Sequence, residues 1–395
     1  MSLPVSAFAQ KFGFARTDVS LGNWRTRPYS AWSFQNVAEM TPTAEISTSA
    51  TIEDETLEPL GALLQRTVDV GGGSETLQTF LARSNTDTLV VMKGGVFVGE
   101  FCAPAADPSA PHLVFSISKS LTAVLAGALQ DEGLLDPSQP VSRYMPEAVG
   151  TVYGDATVQQ VLDMRVGLGF EEAYLDPESD FARYRRAMLW NPMRPGDRVE
   201  TLRQVILSLP RGGPHGGPLR YYSPLSDLLG LIVERSSGQR YAGLFREKLW
   251  RPLRARGRCN VTVDSEGTAR AAGGVSMTAR DLARVGEMMR CGGMAGSRAV
   301  VSERWVRDTI SAGDKAAWEA GDFAHLLRDG SYRNKWYQSG YANGAFLAAG
   351  IHGQWLYVDP VSEVVIARLS SQHEPVDDAL DQQTLRFFQA VSEFV

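Results

Sequence analysis

The segment Phe115-Ser116-Ile117-Ser118-Lys119 opens a predicted helix and carries the clearest chemical signal in this chain. From Ser116 onward, leucine and valine recur at helical spacing until Gly133, which predicts one helix ended by a glycine. Residues three apart lie on one face of a helix, so the Ser116 hydroxyl and the Lys119 amine can meet. A serine hydroxyl needs a neighbouring base to act as a nucleophile. The spacing therefore makes Ser116 a candidate nucleophile and Lys119 its candidate base.

Lysine acts as a base only when burial or positive neighbours lower its pKa from the usual ~10.4. The first turn of a helix supplies a partial positive field of that kind. The backbone N–H of Ser116 could also stabilise an oxyanion there. In the structural alternative, Ser116 is an ordinary helix N-cap and the spacing arises by chance. The motif alone leaves both interpretations open.

Composition bounds the class of protein. The chain has 395 residues, of which 44% are hydrophobic and 21% are charged, as in globular proteins with one large domain or two interleaved ones. Its net charge of -6 argues against a nucleic-acid partner, which would need a basic surface. No apolar run is long enough to span a membrane. The start, Met1 to Gln10, lacks the basic region of a signal peptide. We therefore expect a cytoplasmic protein with no membrane partner.

Metal-ligating patterns are missing from the sequence. Cys102, Cys259 and Cys291 are isolated from one another and from any Cys-His cluster, which argues against a disulfide framework and a zinc site. Three free thiols fit a reducing compartment, although one bridge stays open. The five histidines are scattered, and nothing in the sequence marks a Ser-His-Asp arrangement. We expect no metal site.

The order of predicted elements indicates the fold class. Residues 88–92 and 96–101 are β-rich runs joined by a glycine-containing turn, which is typical of a hairpin. Helices are predicted over residues 225–237, 279–289 and 379–393, and strands over 345–350, 354–358 and 364–369. This order predicts an α+β fold in which an antiparallel sheet is flanked by helices and contains an inserted, mainly helical region.

We expect three regions along the chain that together form one unit. Residues 1–60 are an N-terminal arm, residues 61–115 and 260–395 form the α/β sheet region, and residues 116–259 form the mainly helical region. A cleft between the sheet and the helical region is the natural place for a binding site.

Two further segments can complete a site around Ser116. Tyr221, in Arg220-Tyr-Tyr-Ser223, precedes a predicted helix, and its phenol can pass a proton to a leaving group. The segment Ala348-Ala-Gly-Ile-His-Gly-Gln354 is a glycine-bearing strand end whose exposed N–H could hold an oxyanion. Tyrosines before helices are usually packing residues, and glycines at strand ends usually allow a tight bend. Each segment alone therefore has an ordinary structural explanation.

Taken in order, these motifs resemble the serine β-lactamase and penicillin-binding-protein superfamily, whose Ser-x-x-Lys pair has this spacing. Further phrases with the same resemblance are Asp131-Glu-Gly-Leu-Leu-Asp-Pro137, Leu229-Gly-Leu-Ile-Val-Glu-Arg-Ser-Ser-Gly238 and Gly273-Gly-Val-Ser-Met-Thr-Ala-Arg-Asp-Leu282. The resemblance is to the class C and esterase branch, and within it to the hydrolases of 6-aminohexanoate oligomers. It covers the chain from about residue 20 onward and implies a β-lactamase/transpeptidase-like fold.

The resemblance also implies roles for individual residues. Ser116 is the nucleophile, Lys119 the general base and Tyr221 the proton relay, while the N–H groups of Ser116 and Ile351 form the oxyanion hole. Residues implied to contact the substrate are Tyr174, Ser223, Trp336, Tyr337, Gly350 and His352. No metal or organic cofactor is implied, and a homodimer stays open.

Departures from the superfamily pattern bear on the substrate. Ser223 stands where many members have asparagine, and Ala348-Ala349-Gly350 stands where β-lactamases have Lys-Thr-Gly. A β-lactam carboxylate would therefore lack its cationic partner. We expect a serine hydrolase that cleaves small linear amides, and short-chain esters as well, through an acyl-enzyme. The alternatives are a carboxylesterase with little amidase activity, then a β-lactamase or D,D-peptidase, and then a non-catalytic relative that has kept the fold.

Overall fold

A computed structural model describes residues 7–47, 56–174 and 176–395 of the chain. Its α-helices within these ranges are α1 (Ala7–Phe12), α2 (Ser30–Ser33), α3 (Leu77–Arg83), α4 (Ile117–Asp131), α5 (Val158–Leu162), α6 (Asp180–Ala187), α7 (Leu202–Ser208), α8 (Ser223–Ser237), α9 (Tyr241–Phe245), α10 (Ala279–Arg290), α11 (Glu303–Ser311), α12 (Lys315–Glu319) and α13 (Asp378–Phe394). None of these helices has both the length and the apolar character needed to cross a bilayer.

The strands within the same ranges are β1 (Thr43–Glu45), β2 (Thr67–Asp69), β3 (Ser74–Thr76), β4 (Thr86–Lys93), β5 (Val96–Cys102), β6 (His112–Leu113), β7 (Asn260–Thr262), β8 (Val275–Met277), β9 (Met294–Ala295), β10 (Arg298–Ala299), β11 (Ser331–Arg333), β12 (Trp336–Gln338), β13 (Phe346–Gly350), β14 (Gln354–Asp359) and β15 (Val364–Ser370). The predicted hairpin is β4–β5, and the three predicted C-terminal strands are β13, β14 and β15.

The main sheet has seven strands in the order β11-β12-β13-β14-β15-β4-β5, and its neighbours pair antiparallel. Its central strands are buried on both faces. In β14, Leu356 lies toward Gly286 of α10, while Trp355 packs against the ring of Phe388 on α13. Successive side chains of a strand point to opposite faces, so this one strand supports two helical layers. The α+β prediction of an antiparallel sheet flanked by helices is confirmed.

A second sheet positions the segment that the sequence singles out. It has four strands in the order β1-β7-β8-β6. Its strand β1 comes from the predicted N-terminal arm, of which residues 1–6 and 48–55 lie outside the described residues. Strand β6 leads into Val114, whose N–H donates to the Val275 carbonyl over 2.9 Å. The chain then enters α4, so the predicted Ser116 helix begins where this small sheet ends.

Helix α4 lies in the interior. Its residues from Ile117 to Leu129 are all buried, and it packs against α8 and against β13 of the main sheet. A helix that is buried on every side must have few polar side chains, and those it has need partners. The burial of α4 therefore decides the environment of Lys119.

Gly286 lets α10 lie close to the main sheet, and this contact can be tested. A Cβ at Gly286 would lie 2.5 Å from Val365 Cγ1 and 2.8 Å from Leu356 Cδ1. We expect Gly286→Ala to lower the free energy of unfolding by about 1–3 kcal/mol, because the packed sheet must shift. The measurement is urea-induced unfolding. The matched control is Gly243→Ala in α9, where an added Cβ meets no atom of the described residues within 4 Å. Equal losses of stability in the two variants would contradict the packing argument.

Candidate active site

Ser116 stands at a strained turn between a strand and a helix. It is the N-cap residue of α4, and Phe115 before it has a φ of 44°, in the left-handed region that non-glycine residues rarely adopt. Such a conformation costs about 1–3 kcal/mol and persists only when the surroundings enforce it. Here the Phe115 ring packs against the rings of Phe34, Trp190 and His352. This aromatic cluster holds the turn, and the turn directs the Ser116 hydroxyl toward a cavity.

Lys119 lies one helical turn further on, behind Ser116. Its Nζ is 2.7 Å from Ser116 Oγ and 2.8 Å from the Ala272 carbonyl oxygen, and the side chain is 1% exposed. Its pKa is lowered to about 7: burial has the largest effect, Glu172 and Asp227 act in the opposite direction, and Arg270 acts in the same direction as burial. A large share of Lys119 is therefore neutral near pH 7 and can accept a proton.

The Tyr221 side chain lies next to the Ser116–Lys119 pair. Its ring centroid is 4.8 Å from Lys119 Nζ. Burial raises the pKa of its phenol, with hydrogen bonds to Ser116 and Tyr337 acting against that rise. Its backbone N–H donates to Asp322 over 2.8 Å. Tyr221 thus keeps its proton at neutral pH and holds it close to Ser116.

The end of β13 lies next to the Ser116 backbone. A Cβ placed on Gly350 would be 3.0 Å from the Ser116 nitrogen and 2.7 Å from the Val114 carbonyl oxygen, so this approach requires glycine. Within the described residues, neither the Ser116 N–H nor the Ile351 N–H donates a hydrogen bond to another protein group. Two such N–H groups at one site can hold a developing oxyanion.

The buried ion pair of Asp227 and Arg270 supports the surroundings of Lys119. The Asp227 carboxylate on α8 accepts hydrogen bonds from Arg270, from the Tyr184 hydroxyl, and from the Ala272 N–H over 2.7 Å. Asp227 is fully buried and Arg270 is 5% exposed. Since the Ala272 carbonyl accepts a hydrogen bond from the Lys119 amine, Asp227 anchors the residue whose carbonyl holds the amine in place.

A cavity of about 490 Å³ opens in front of these groups. The residues predicted from the sequence that line it are Ser116, Tyr174, Tyr221, Tyr337, Gly350 and Ile351. Aromatic and aliphatic side chains from Phe170, Phe323, Leu326, Leu347 and Trp355 add to its wall. The cavity is therefore largely apolar away from Ser116, as small-molecule sites usually are.

Three predicted contact residues lie away from the cavity wall. Trp336 is fully buried and packs on Phe346. Successive residues of a strand point to opposite faces, so Trp336 and its neighbour Tyr337 in β12 lie on different faces of the sheet. The His352 ring is buried, its Nδ1 lies 2.9 Å from the Gln372 carbonyl oxygen, and burial lowers its pKa to about 4. Ser223 is the first residue of α8 and is also buried.

The structure also brings in residues that the sequence did not single out. Glu172 and Asp322 line the cavity, and Asp227 lies beneath it. Asp322 accepts from Arg220 over 2.6 Å as well as from the Tyr221 N–H, so it holds the start of the Tyr221 segment. Charged residues like these are frequent in any chain, and no local spacing links them to Ser116. For Glu172, the signal in the sequence is its place in the pair Glu171-Glu172 close to Tyr174.

The charges of the cavity wall are mostly negative. Glu171, Glu172, Asp322, Asp378 and Asp381 line it, and burial raises the pKa of Asp381 to about 7. Among the described residues that line it, the only cation is Arg220, which is paired with Asp322. The strand segment Ala348-Ala349-Gly350 brings no charge to the site. Within the described residues, no group of three or more His, Cys, Asp or Glu side chains is arranged to hold a metal ion.

Comparisons with known proteins identify the family of this chain. The beta-lactamase family model matches residues 75–390. The chain is 38% identical over 364 residues to the 6-aminohexanoate-dimer hydrolase of Paenarthrobacter ureafaciens, covering 92% of this chain and 91% of that protein.

The fold of this chain is also similar to the folds of solved structures. A Bacillus anthracis structure, provisionally named a 6-aminohexanoate-dimer hydrolase, has a TM-score of 0.87 at 23% identity and covers 96% of this chain and 98% of its own. A class C β-lactamase from Rhodobacter sphaeroides has a TM-score of 0.55 at 15% identity and covers 80% of this chain and 97% of its own.

The chain belongs to the β-lactamase family. Its fold is the β-lactamase/transpeptidase-like fold, and the protein is a serine hydrolase, for which a Ser-x-x-Lys pair is typical. The resemblance predicted from the sequence is confirmed. The alternative of a non-catalytic relative is therefore set aside.

The role of Asp227 beneath the site gives a prediction on stability. We expect Asp227→Asn to lower the free energy of unfolding by about 3–5 kcal/mol, because it leaves the buried Arg270 guanidinium without its charge partner. The measurement is the urea midpoint and slope. Asp155→Asn is the matched control, since the Asp155–Arg211 pair is exposed and should contribute less than about 1 kcal/mol. A loss at Asp227 no larger than at Asp155 would contradict the supporting role.

Proposed function

We propose that this protein hydrolyses small linear amides of the 6-aminohexanoate-dimer type through an acyl-enzyme formed on Ser116. The observation that carries the proposal is the 2.7 Å approach of the buried Lys119 amine to the Ser116 hydroxyl. A lysine that is neutral near pH 7 and in contact with a serine can accept the serine proton, and this activates the serine as a nucleophile. The named activity of the Paenarthrobacter relative supports the choice of substrate.

Each step of the proposed reaction is assigned to one group of the site. Ser116 Oγ attacks the amide carbonyl while its proton moves to Lys119 Nζ. The oxyanion is held by the N–H groups of Ser116 and Ile351, and each such donor contributes about 3–4 kcal/mol to the transition state. Tyr221 gives its proton to the departing amine and regains one from Lys119. Water then attacks the acyl-enzyme by the same proton path in reverse, releasing the acid and restoring Ser116.

The carboxylates of the cavity wall disfavour a substrate with a net negative charge and allow a cation or a net-neutral zwitterion such as the 6-aminohexanoate linear dimer. Carboxylates line the cavity, and its cation Arg220 is engaged by Asp322. A β-lactam carries a carboxylate that needs a free cation close to the nucleophile, so β-lactamase or D,D-peptidase activity is the weaker alternative. Short-chain esters are hydrolysed more easily than amides, and they are a second proposed substrate class. A carboxylesterase with little amidase activity is the main alternative.

The proposed nucleophile and base are tested by substitution. We expect Ser116→Ala to lower kcat/KM by at least about a thousand-fold, and Lys119→Ala to lower it by about 10²–10⁴-fold. Hydrolysis of the 6-aminohexanoate linear dimer and of p-nitrophenyl butyrate is measured in parallel. Ser109→Ala and Lys315→Ala are the controls, because both side chains are exposed and lie outside the cavity.

The outcomes separate the alternatives. Loss of both activities in Ser116→Ala, with dimer cleavage in the parent, supports the amide hydrolase. Ester cleavage without dimer cleavage keeps the mechanism and assigns a carboxylesterase. Full turnover by Ser116→Ala refutes the scheme.

The pKa of Lys119 gives a pH prediction. Because burial lowers this pKa to about 7, the amine is protonated and unable to act as a base below that pH. We expect kcat/KM for p-nitrophenyl butyrate to rise with pH through a midpoint near 7 and then level off, since Tyr221 stays protonated. The measurement is kcat/KM from pH 5 to 9, with unfolding monitored at each pH. A flat profile over this range would exclude Lys119 as the base.

A further inference from the structure

Glu172 links two parts of the site that come from separate stretches of the chain. One oxygen of its carboxylate accepts the Tyr174 hydroxyl over 2.9 Å, and the other accepts the backbone N–H of Ser223. Ser223 is the first residue of α8 and comes two residues after Tyr221. The carboxylate also lines the cavity in front of Ser116. It therefore holds the Tyr174 wall and the Tyr221 segment together.

The charge of Glu172 acts on Lys119 as well. Of the charged groups around Lys119, it has the largest effect, and it raises the pKa of the amine against the lowering caused by burial. Asp227 from α8 acts in the same direction but is already engaged by Arg270, which acts in the opposite direction.

The other groups near Lys119 come from three further segments. Ser116 and the Ala272 carbonyl contact the amine, and the Tyr221 ring lies over it. The buried Lys335, whose amine donates to the Val161 carbonyl, interacts with it at longer range. Glu172 forms no ion pair among the described residues, and the Arg185 and Arg270 guanidinium groups interact with it only at longer range. It is thus the carboxylate that lines the cavity and acts on this amine.

We propose that Glu172 is a positioning residue of this site: its carboxylate fixes Tyr174 and the Tyr221 segment around Ser116, and its charge stabilises the ammonium that Lys119 becomes during acylation. The inference rests on the proposed function. When the Ser116 proton moves to Lys119 Nζ, a new positive charge forms in a buried place, where an uncompensated charge is costly. Glu172 compensates that charge and takes no proton itself.

The decisive variant is Glu172→Gln, which removes the charge and keeps an oxygen that can accept the Ser223 N–H. Without the carboxylate, the protonated form of Lys119 is less stable, so its pKa falls. We expect the acid limb of kcat/KM to move to lower pH by about 0.5–1 unit, as one nearby charge in a partly screened site would do. We also expect kcat on the plateau to fall about ten-fold, because Lys119 becomes a weaker proton acceptor. The measurement is the pH profile with p-nitrophenyl butyrate.

Three matched variants separate charge from structure. Tyr174→Phe removes one hydrogen bond and keeps the charge, so we expect a higher KM and an acid limb in its original place. Glu172→Asp keeps the charge but draws it back by one methylene, so kcat should fall while the limb stays close to that of the parent. Glu178→Gln changes an exposed glutamate of the same segment, paired only at the surface with Arg194, and should leave the profile unchanged.

An unmoved acid limb and an unchanged kcat in folded Glu172→Gln overturn the inference. If that variant does not fold, parent-like kcat in Glu172→Asp together with a parent-like KM in Tyr174→Phe overturns it instead. Failure of the proposed function is distinguishable, because Ser116→Ala would then retain turnover and a fluorophosphonate probe would fail to label Ser116 in the parent. Labelled Ser116 with an unmoved limb refutes only the role of Glu172.

Discussion

The removal of the Lys119 amine from water is the constraint on which the rest of this site depends. In water a lysine is protonated at neutral pH and cannot take a proton from serine. Inside α4, which is buried on every side, the charged form is penalised, and the pKa falls to about 7. The same helix places Ser116 within 2.7 Å of the amine. One buried helix thus supplies both members of the pair and the chemistry that joins them.

A lowered pKa has to be balanced, because an amine that never becomes charged cannot accept a proton either. The surroundings of Lys119 contain charges of both signs: the positive charge of Arg270 disfavours the ammonium, while the negative charges of Glu172 and Asp227 favour it. The Asp227–Arg270 pair also anchors Ala272, the residue whose carbonyl accepts a hydrogen bond from the amine. Burial sets the approximate basicity, and the charged groups adjust it to the range in which serine activation and proton return are both feasible.

Much of the fold could be predicted from local patterns, since hydrophobic periodicity and glycine breaks record secondary structure directly. The predicted hairpin is β4–β5, and the helix predicted over residues 279–289 is Ala279–Arg290. Site residues were predictable where a short motif or a resemblance marked them, as with Tyr221 and Tyr337 at the cavity. Trp336 shows the limit: adjacent residues in a strand point to opposite faces, and the pair Trp336-Tyr337 does not reveal which one faces the cavity.

The sequence by itself determined the three-residue spacing of Ser116 and Lys119, the helix that carries them and the hairpin of β4 and β5, because these depend on neighbours along the chain. Only the tertiary structure decided what surrounds the pair. Glu172 and Asp227 are distant from Ser116 in the chain, and folding alone brings them to the site. The pKa of Lys119 is likewise a property of the folded site, since desolvation and the charges of remote segments act only once the interior has closed.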